Sequence, residues 1–491
     1  MQYLRASRRR NARLDQRLRL RPLAACLALA FCASAPGAGA DHSALNAFAT
    51  GGRPAAHFAN PSSATTAATF IVNTCDDPLP LPAACPDNNT TEGTLRMGLL
   101  CAQGGDTIDM AQLQCSKITL SAPLTTAPVT LTLAGPPSNG LTIDAGGQFR
   151  AIVHKPPLNN YGPSLDSLYI NNLAIANGRY DNPETFAGYA QGGCIFSTGN
   201  VFLNNSTVSS CLVSSPVRFS IASGGAIYAQ GTVRLYKSSV TDSKAVGDNT
   251  GTGGASGSYG GGIYASSIDL NRSTVSGNTA SSAGGSAGGG VLAVAVYSNY
   301  STISGNQARS GAGIYARRAY LTDSTVSGNH TPSDGLIGGV YARDVMNVFS
   351  CTIAGNTGGG TLAAGLFSGY SSPQLQNTIV ANNTTDGIEF DVGTANGRPV
   401  LGSNNLIRVA KATTAVPADT ISADPLLGPL GDNGGATRTQ TLLPGSPAID
   451  KGGPTGLSFD QRDLARVVGG KVDIGAVEFD PDRIFGSGFN L

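Results

Sequence analysis

Tryptophan is absent from this chain of 491 residues, aromatic residues make up only 6 % of it, and charged residues only 13 %. Glycine, by contrast, is abundant, with 65 residues. Because glycine destabilises a helix interior by about 1 kcal/mol relative to alanine, this composition excludes a helix-rich protein. A hydrophobic content of 41 % is enough to bury a core, which excludes a disordered chain. The composition favours a long β protein with short strands and many tight turns.

A large excess of either charge is also lacking, since the formal net charge is +1. Eight arginines and one aspartate fall within residues 1–40, so the rest of the chain carries a net charge of −6. This distribution does not indicate a phosphate-binding surface. Nucleic acid is therefore not an expected partner.

Residues 1–40 have the layout of a secretory signal peptide. A basic start precedes the apolar residues 22–35, and the small residues Ala38-Gly39-Ala40 precede Asp41. The apolar stretch is too short to span a membrane, and no later stretch is suitable. We expect bacterial Sec-type export to an extracellular or cell-surface location, with no transmembrane segment in the exported chain. Residues 41–69, rich in Ala, Thr, Ser, Asn and Pro, are typical of a flexible spacer.

Seven of the nine cysteines follow the signal peptide. In an exported protein, clustered cysteines indicate disulfide bonds. Two disulfides are predicted among the four that lie close together, with three pairings open: Cys75, Cys85, Cys101 and Cys115. Their spacing does not fit the paired Cys-x-x-Cys ligands of a structural zinc site. At least one of the remaining three has no partner within the chain: Cys194, Cys211 and Cys351.

Two sequence columns recur through the middle of the chain. One is a Gly-rich turn followed by an apolar residue, as in GGAIY at 224–228, and the other has the form STVSGN, as at 273–278. Their apolar residues are 12 or 13 residues apart in every repeat, whereas successive repeats are 23 to 36 residues apart. The constant offset indicates fixed strands joined by variable loops. The apolar members of the first column are Ile195, Ile227, Ile263, Val291, Ile314, Val340 and Leu366, and those of the second are Val208, Val240, Val275, Ile303, Val326, Ile353 and Ile379.

Repeats of this length cannot each bury an apolar face alone, so they must stack. Short β-branched strands punctuated by Gly and Asn predict a parallel β-helix over residues 118–399, with each turn about 4.8 Å above the last. About nine or ten turns fit this length, whereas the blades of a propeller would need about 40 residues each. Asparagine tolerates a left-handed backbone, and its amide can bond from turn to turn. We therefore expect an asparagine ladder at one corner, formed by Asn278, Asn306, Asn329, Asn356 and Asn382.

The repeats resemble the right-handed parallel β-helix repeats of bacterial surface and secreted proteins, including those of polymorphic outer-membrane proteins. Residues 131–154 and 168–180 resemble the first turns of such a helix. Residues 70–109 resemble the CSLREA segment of this family, although Thr94-Leu95-Arg96-Met97 stands where Ser-Leu-Arg-Glu is usual. Residues 423–479 resemble a choice-of-anchor Q domain, with Asp463 in place of a usual glycine. The resemblance implies an all-β, right-handed parallel β-helix in a secreted or surface-anchored protein, without a shared catalytic activity.

The chain thus divides into six expected segments. Two of them are caps, which both ends of the β-helix need because open strand edges would pair with other chains. The segments are a signal peptide at 1–40, a spacer at 41–69, a disulfide-bearing N-terminal cap at 70–117, the β-helix at 118–399, a C-terminal cap at 400–479 and a tail at 480–491. The variable loops at 244–259 and 279–287 are expected to project from one edge as a binding rim.

Catalytic groups are sparse in the sequence. A glycoside hydrolase needs two carboxylates that face one cleft, and a lyase needs a basic residue, often with Ca²⁺. No acidic pair is found on adjacent repeats, and no catalytic residue, metal ligand or other cofactor is assigned. The best cluster of opposite charges is interpreted as a solvated rim: Arg317, Arg318, Asp323 and Asp344. Candidate Ca²⁺ ligands in the C-terminal segment, interpreted mainly as turn and cap residues, are Asp450, Asp460, Asp463, Asp473 and Glu478.

An aromatic column runs beside the first apolar column, and strand alternation places it on the outside. It contains Phe196, Tyr228, Tyr264, Leu292, Tyr315, Tyr341 and Phe367. These rings either support the stacked turns or line a shallow groove that holds a glycan or another cell-surface or matrix partner. We expect a non-catalytic adhesin or binding scaffold, and a polysaccharide lyase or glycoside hydrolase is the alternative.

Overall fold

A computed structural model describes residues 67–80, 85, 92–126, 129–137, 140–158, 162–183, 188–248 and 256–482. The expected signal peptide, spacer residues 41–66 and tail residues 483–491 lie outside this range. Within it, no helix has the length and apolar character needed to cross a membrane.

The N-terminal segment closes one end of the molecule. Helix α1, Leu95–Cys101, is capped by the side chain of Thr94, which accepts a hydrogen bond from the amide of Met97. The buried guanidinium of Arg96 donates to both carboxylate oxygens of Asp77, at 2.7 and 2.6 Å. Both predicted disulfides are present here, and the structure resolves their pairing as Cys75–Cys115 and Cys85–Cys101.

A parallel sheet, sheet A, runs along the molecule. Most turns contribute two short strands to it, separated by a bend, and in the middle turns these merge into one strand of 9 or 10 residues. Its 19 strands among the described residues are Thr69–Val72, Glu92–Gly93, Thr107–Asp109, Leu124–Thr125, Leu131–Ala134, Ile152–His154, Ser167–Asn171, Ile195–Ser197, Asn200–Asn204, Ile227–Ala229, Thr232–Tyr236, Ile263–Asn271, Val291–Asn299, Ile314–Thr322, Val340–Phe349, Leu366–Ser368, Gln374–Gln376, Val392–Thr394 and Leu401–Ser403.

A second parallel sheet, sheet B, forms another wall. Its 11 strands in the described part of the chain give eleven turns, one or two more than the sequence indicated. They are Lys117–Thr119, Leu141–Asp144, Leu173–Ala176, Thr207–Ser209, Ser239–Thr241, Thr274–Ser276, Thr302–Ser304, Thr325–Ser327, Thr352–Ala354, Ile379–Ala381 and Leu406–Ile407. With successive turns paired in parallel register, the predicted all-β class and parallel β-helix are confirmed.

Four consecutive turns carry a side extension, and the two predicted projecting loops, 244–259 and 279–287, contribute strands to it. Sheet C contains Arg179–Asp181, Leu212–Ser214, Lys244–Val246 and Thr279–Ser281, and sheet D contains Gly188–Gln191, Ser220–Ser223, Gly257–Tyr259 and Ser286–Ala287. A small core of Ala190, Val213, Ala222 and Ala245 fills the extension. A short sheet further along contains Thr357–Gly358, Thr384–Thr385 and Ile388–Glu389, and a 3₁₀ turn spans Ala395–Gly397.

The interior columns follow the sequence repeat with one exception. Every member of the first column pairs with the next and is buried, from Ile195 to Leu366. In the second column the last member is wrong, because Ile353 pairs with Val380 and not with Ile379. Ile379 faces the opposite way and is buried under the C-terminal segment.

The asparagine ladder is buried and continuous. The Nδ2 of Asn306 donates to the Oδ1 of Asn329 at 2.9 Å and to the carbonyl of Val275 at 3.0 Å, and the neighbouring turns repeat this pattern. Asn382 was assigned to the ladder wrongly. It has φ 59°, the left-handed position that glycines such as Gly328 fill in other turns, and Asn383 carries the ladder amide. The preceding residue, not the ladder asparagine, adopts the left-handed backbone.

A second ladder, of serine hydroxyls, lines the opposite corner of sheet B. The hydroxyl of Ser301 accepts from the amide of Ser273, and the hydroxyl of Ser324 accepts from the amide of Ser301. Cys351, which forms no disulfide and is buried, takes the next position, and burial raises the pKa of its thiol. The other two late cysteines form a third disulfide, Cys194–Cys211.

Residues 423–479 pack along the flank of sheet B, whereas a cap over the last turn was expected. Leu442, Ala448 and Ile474 cover Ile379 and Leu406. The last turn is instead extended by the preceding stretch, in which Leu406 pairs with Ile421 and the amide of Val400 donates to Ala415. The C-terminal segment therefore shields a sheet face.

Candidate functional site

The predicted aromatic column forms two stacks of rings on the outside of sheet A. Tyr228 lies 5.3 Å from Tyr264, and Tyr315 lies 4.7 Å from Tyr341, measured between ring centroids. Burial raises the pKa of Tyr228 to about 12 and also raises the pKa of the other three hydroxyls. Tyr228 is only 8 % exposed. These rings mainly cover one another and support the turns.

A second set of outward side chains follows the bend in sheet A and was not identified from the sequence. We call its two parallel rows the outer face. The first row, with residues paired in register from turn to turn, contains Tyr169, Phe202, Arg234, Asp269, Tyr297, Tyr320 and Asn347. The second row, two residues further along each strand, contains Asn171, Asn204, Tyr236, Asn271, Asn299, Thr322 and Phe349.

Aromatic rings on the outer face are stacked and exposed. Tyr297 and Tyr320 lie 5.0 Å apart with an interplanar angle of 8°, and Tyr297 is 39 % exposed. In the second row, Tyr236 is 41 % exposed and Phe349 is 37 % exposed. Because each turn rises about 4.8 Å, the first row extends over about 29 Å. The outer face thus offers partly exposed rings along a rigid surface, more open than the first aromatic column.

Amide side chains stand between these rings. Asn204, Asn299 and Asn347 have no side-chain hydrogen-bond partner among the described residues. Each carboxamide offers two donors and one acceptor oxygen to a ligand. Arg234 and Asp269, in the same row, form an ion pair at 3.0 Å. The outer face therefore combines apolar ring surfaces with free amide groups.

The predicted charged rim is only partly assembled. Asp344 accepts from Arg317 at 2.7 Å and from Arg343 at 2.9 Å, and Arg318 is exposed nearby on the same strand as Arg317. Burial alone would raise the pKa of Asp344, but the hydrogen bonds from Arg343 and Arg317 lower it below its usual value. Arg343 was not part of the predicted set.

Asp323 does not join this rim, which corrects its assignment. It occupies a left-handed corner of the helix, is fully buried beneath the C-terminal segment, and faces the buried guanidinium of Arg466 at 3.8 Å. Among the described residues, neither carboxylate oxygen has a hydrogen-bond partner. Burial raises the pKa of Asp323 to about 8, although the charge of Arg466 opposes the shift.

The candidate Ca²⁺ ligands of the C-terminal segment bind amides and guanidinium groups in the structure. Asp460 accepts from Arg462 at 2.6 Å, Asp473 accepts from the amide of Asp450 at 2.7 Å, and Asp463 pairs with Arg272. Glu478 lies 3.4 Å from Arg466. Across the described ranges, no group of three or more His, Cys, Asp or Glu side chains is arranged to hold a metal ion.

A polar hollow of about 380 Å³ lies where the side extension ends and the turns become shorter. Ser282, Gln307, Arg309 and Asp334 contribute to its lining, and Arg309 pairs with Asp334 at 2.7 Å. None of its lining residues belongs to the outer face.

Comparisons with known proteins leave the family open. No family model and no curated protein matches the chain. Among solved structures, the crystal structure of pectate lyase Pel9A is similar with a TM-score of 0.43 and 11 % sequence identity, covering 84 % of this chain and 98 % of that one. The fold assignment rests on the strand register of the chain itself.

The sequence did contain a signal for the outer face. Its first-row residues follow the inner apolar residue of the first column by six or seven positions, as Tyr297 follows Val291 and Tyr320 follows Ile314. The residue type varies along this row between aromatic, amide and charged side chains. The pattern is therefore visible only once the strand register is known.

Proposed function

We propose that this protein is an exported, non-catalytic binding scaffold, of the adhesin type, which holds a linear polysaccharide along its outer face. The observation that carries the proposal is the exposed stack of Tyr297 and Tyr320 beside the unpartnered amides of Asn299 and Asn347. A sugar ring has an apolar face of C–H groups, which packs on an aromatic ring, and a rim of hydroxyls, which bonds to amides.

A protein partner fits this surface less well than a glycan. The cores of protein–protein interfaces are enriched in contiguous aromatic and apolar area and poor in charge. The outer face instead alternates rings with Asn204, Arg234 and Asp269 along successive turns. The free amides on several of these turns can exchange water for the hydroxyls of a polyhydroxylated polymer.

The state of the acids supports binding without cleavage. Glycosidic hydrolysis needs a carboxylic acid and a carboxylate that both face the bond. Asp269 is engaged by Arg234, and Asp344 is engaged by two arginines. Both carboxylates are thereby occupied by guanidinium groups and do not face an open cleft as a pair.

Location outside the cell is part of the proposal. The three disulfides among the described residues are typical of oxidising compartments. The signal-like residues 1–40 and the resemblance to CSLREA and choice-of-anchor Q segments point in the same direction.

Affinity electrophoresis of the exported chain tests the proposal, with hydroxyethylcellulose as a neutral polymer and carboxymethylcellulose as an acidic one. We expect retardation that is lost in the Tyr297→Ala/Tyr320→Ala double variant. Tyr189→Ala is the matched control, because Tyr189 is 66 % exposed but belongs to sheet D. Absence of retardation by both polymers, or equal retardation of the double variant and the wild type, would contradict the proposal.

Turnover assays on the same polymers test the alternative, that the protein is a polysaccharide lyase or glycoside hydrolase. Reducing ends and unsaturated products should both stay at background, with and without Ca²⁺. Product formation that disappears in Arg317→Gln or Asp344→Asn would establish a lyase or hydrolase and replace the binding proposal.

A further inference from the structure

Two arginines that share one carboxylate, with a third arginine next to them on the strand, adjoin the outer face. This cluster consists of Arg317, Arg318 and Arg343 with Asp344, and lies at the bend of the strands Ile314–Thr322 and Val340–Phe349. The register between these strands shifts after Ala316, because the second strand contains one extra residue. This bulge brings Arg343 and Asp344 beside Arg317.

The cluster carries an excess of positive charge in a chain that is otherwise acidic. Asp344 accepts from Arg317 at Oδ2 and from Arg343 at both oxygens, so it fixes two guanidinium groups, but its single negative charge neutralises only one of them. Arg318 is exposed and forms no ion pair among the described residues. The cluster therefore has a net charge of +2, whereas the chain without residues 1–40 has a net charge of −6.

The cluster also continues the aromatic surface. Arg318 and Tyr320 are two positions apart on one strand, point to the same side and are separated by about 7 Å along it. On the next turn, Tyr370 is 65 % exposed, and its ring centre lies 5.9 Å from the guanidinium of Arg343. Arginine pairs with carboxylate, sulfate and phosphate groups through two parallel hydrogen bonds.

We infer that this cluster is an anion subsite that selects an acidic polysaccharide, with the carboxylate or sulfate of one sugar bound by Arg318 and the held arginines while a neighbouring ring stacks on Tyr320. Asp344 acts as a positioning residue, since it orients Arg317 and Arg343 without touching the ligand. The inference rests on the proposed function and adds the charge class of the ligand.

Titration of the exported chain with two matched polymer pairs tests the inference. Carboxymethylcellulose is compared with hydroxyethylcellulose, and dextran sulfate with dextran, so that carboxylate and sulfate sources are distinguished on the same backbones. Because an ion pair of this kind is worth roughly a factor of ten in affinity, Arg318→Gln should weaken binding of an acidic polymer about ten-fold and leave the neutral one unchanged. Arg179→Gln, exposed on sheet C, is the matched control.

Salt dependence provides a second measurement that does not depend on a variant. Binding of the acidic polymer by the wild type should weaken between about 50 and about 500 mM NaCl, and Arg318→Gln should weaken less over that range. Equal affinity of the wild type for acidic and neutral polymers, with no effect of Arg318→Gln, would overturn the anion subsite. If binding still depended on Tyr320 in that case, the proposed function would stand. If the wild type bound none of the four polymers, both the anion subsite and the proposed function would be overturned.

Discussion

The hydroxyl of Thr325 donates a 2.6 Å hydrogen bond to the carboxamide oxygen of Gln461, which lies 136 residues later in the chain. The amide nitrogen of Gln461 donates in turn to the hydroxyls of Thr302 and Thr437, both at 2.9 Å, and to the carbonyl of Ser301. One buried side chain thereby joins two turns of sheet B to the C-terminal segment.

Replacing Gln461 with Ala should loosen the C-terminal segment from sheet B. The substitution leaves several buried polar groups without partners, at a total cost of about 3 kcal/mol. Trypsin cleavage after Arg438, followed by mass spectrometry, should become faster than in the wild type. Gln307→Ala is the control, because the Gln307 side chain is exposed. Unchanged cleavage in Gln461→Ala would show that the apolar contacts alone hold the segment.

The buried pair Asp323 and Arg466 predicts a pH-dependent stability. The pKa values of Asp323 and Glu478 are both raised to about 8, mainly by burial. A raised acid pKa means that the folded state binds more protons than the unfolded state, so this contribution to stability is present at low pH and is lost as pH rises towards 8. The melting temperature should therefore fall between about pH 5 and about pH 9, and less so in Asp323→Asn.

The comparison with Asp424→Asn controls for net charge, since Asp424 is exposed. If Asp323→Asn instead lowered the melting temperature equally at both pH values, the ionised carboxylate would be a net stabilising partner of Arg466.

Removing one member of the asparagine ladder should be costly. Asn329→Ala deprives the amide nitrogen and the side chain of Asn306 of their acceptor, and both are buried. We expect a loss of about 3 kcal/mol, read from urea unfolding of the exported chain. Cys351→Ser is the control, a substitution in the serine ladder. Because a serine fits the position that Cys351 takes in that ladder, this substitution should change the free energy of unfolding little. A loss below about 1 kcal/mol in Asn329→Ala would contradict the role of the ladder.

The parts of the fold that repeat could be predicted from the sequence. Ile263 and Val275 are each one member of a column with constant offset, so their burial followed from the stacking of short strands. The last repeat contains two adjacent apolar residues, Ile379 and Val380, and two adjacent asparagines, Asn382 and Asn383. Only the strand register decides which member of each pair continues its column, so Ile379 and Asn382 were assigned wrongly.

Contacts between distant parts of the chain could not be predicted. The flank position of residues 423–479 depends on pairs such as Thr325 and Gln461, which no local period connects. The same contacts bury Asp323, whose sequence neighbourhood differs little from that of exposed corner residues such as Lys237. The outer face was missed because ring, amide and charged side chains alternate along it, so no residue type marks it.

The central claim, that the outer face binds a polysaccharide, is tested most directly by hydroxyl-radical footprinting of the exported chain with and without carboxymethylcellulose. The account predicts that oxidation of Tyr236, Tyr297 and Tyr320 falls when the polymer is bound, while oxidation of Tyr189 on sheet D stays unchanged. Protection of Tyr189 or of the hollow around Arg309, with no protection of Tyr297 and Tyr320, would contradict it.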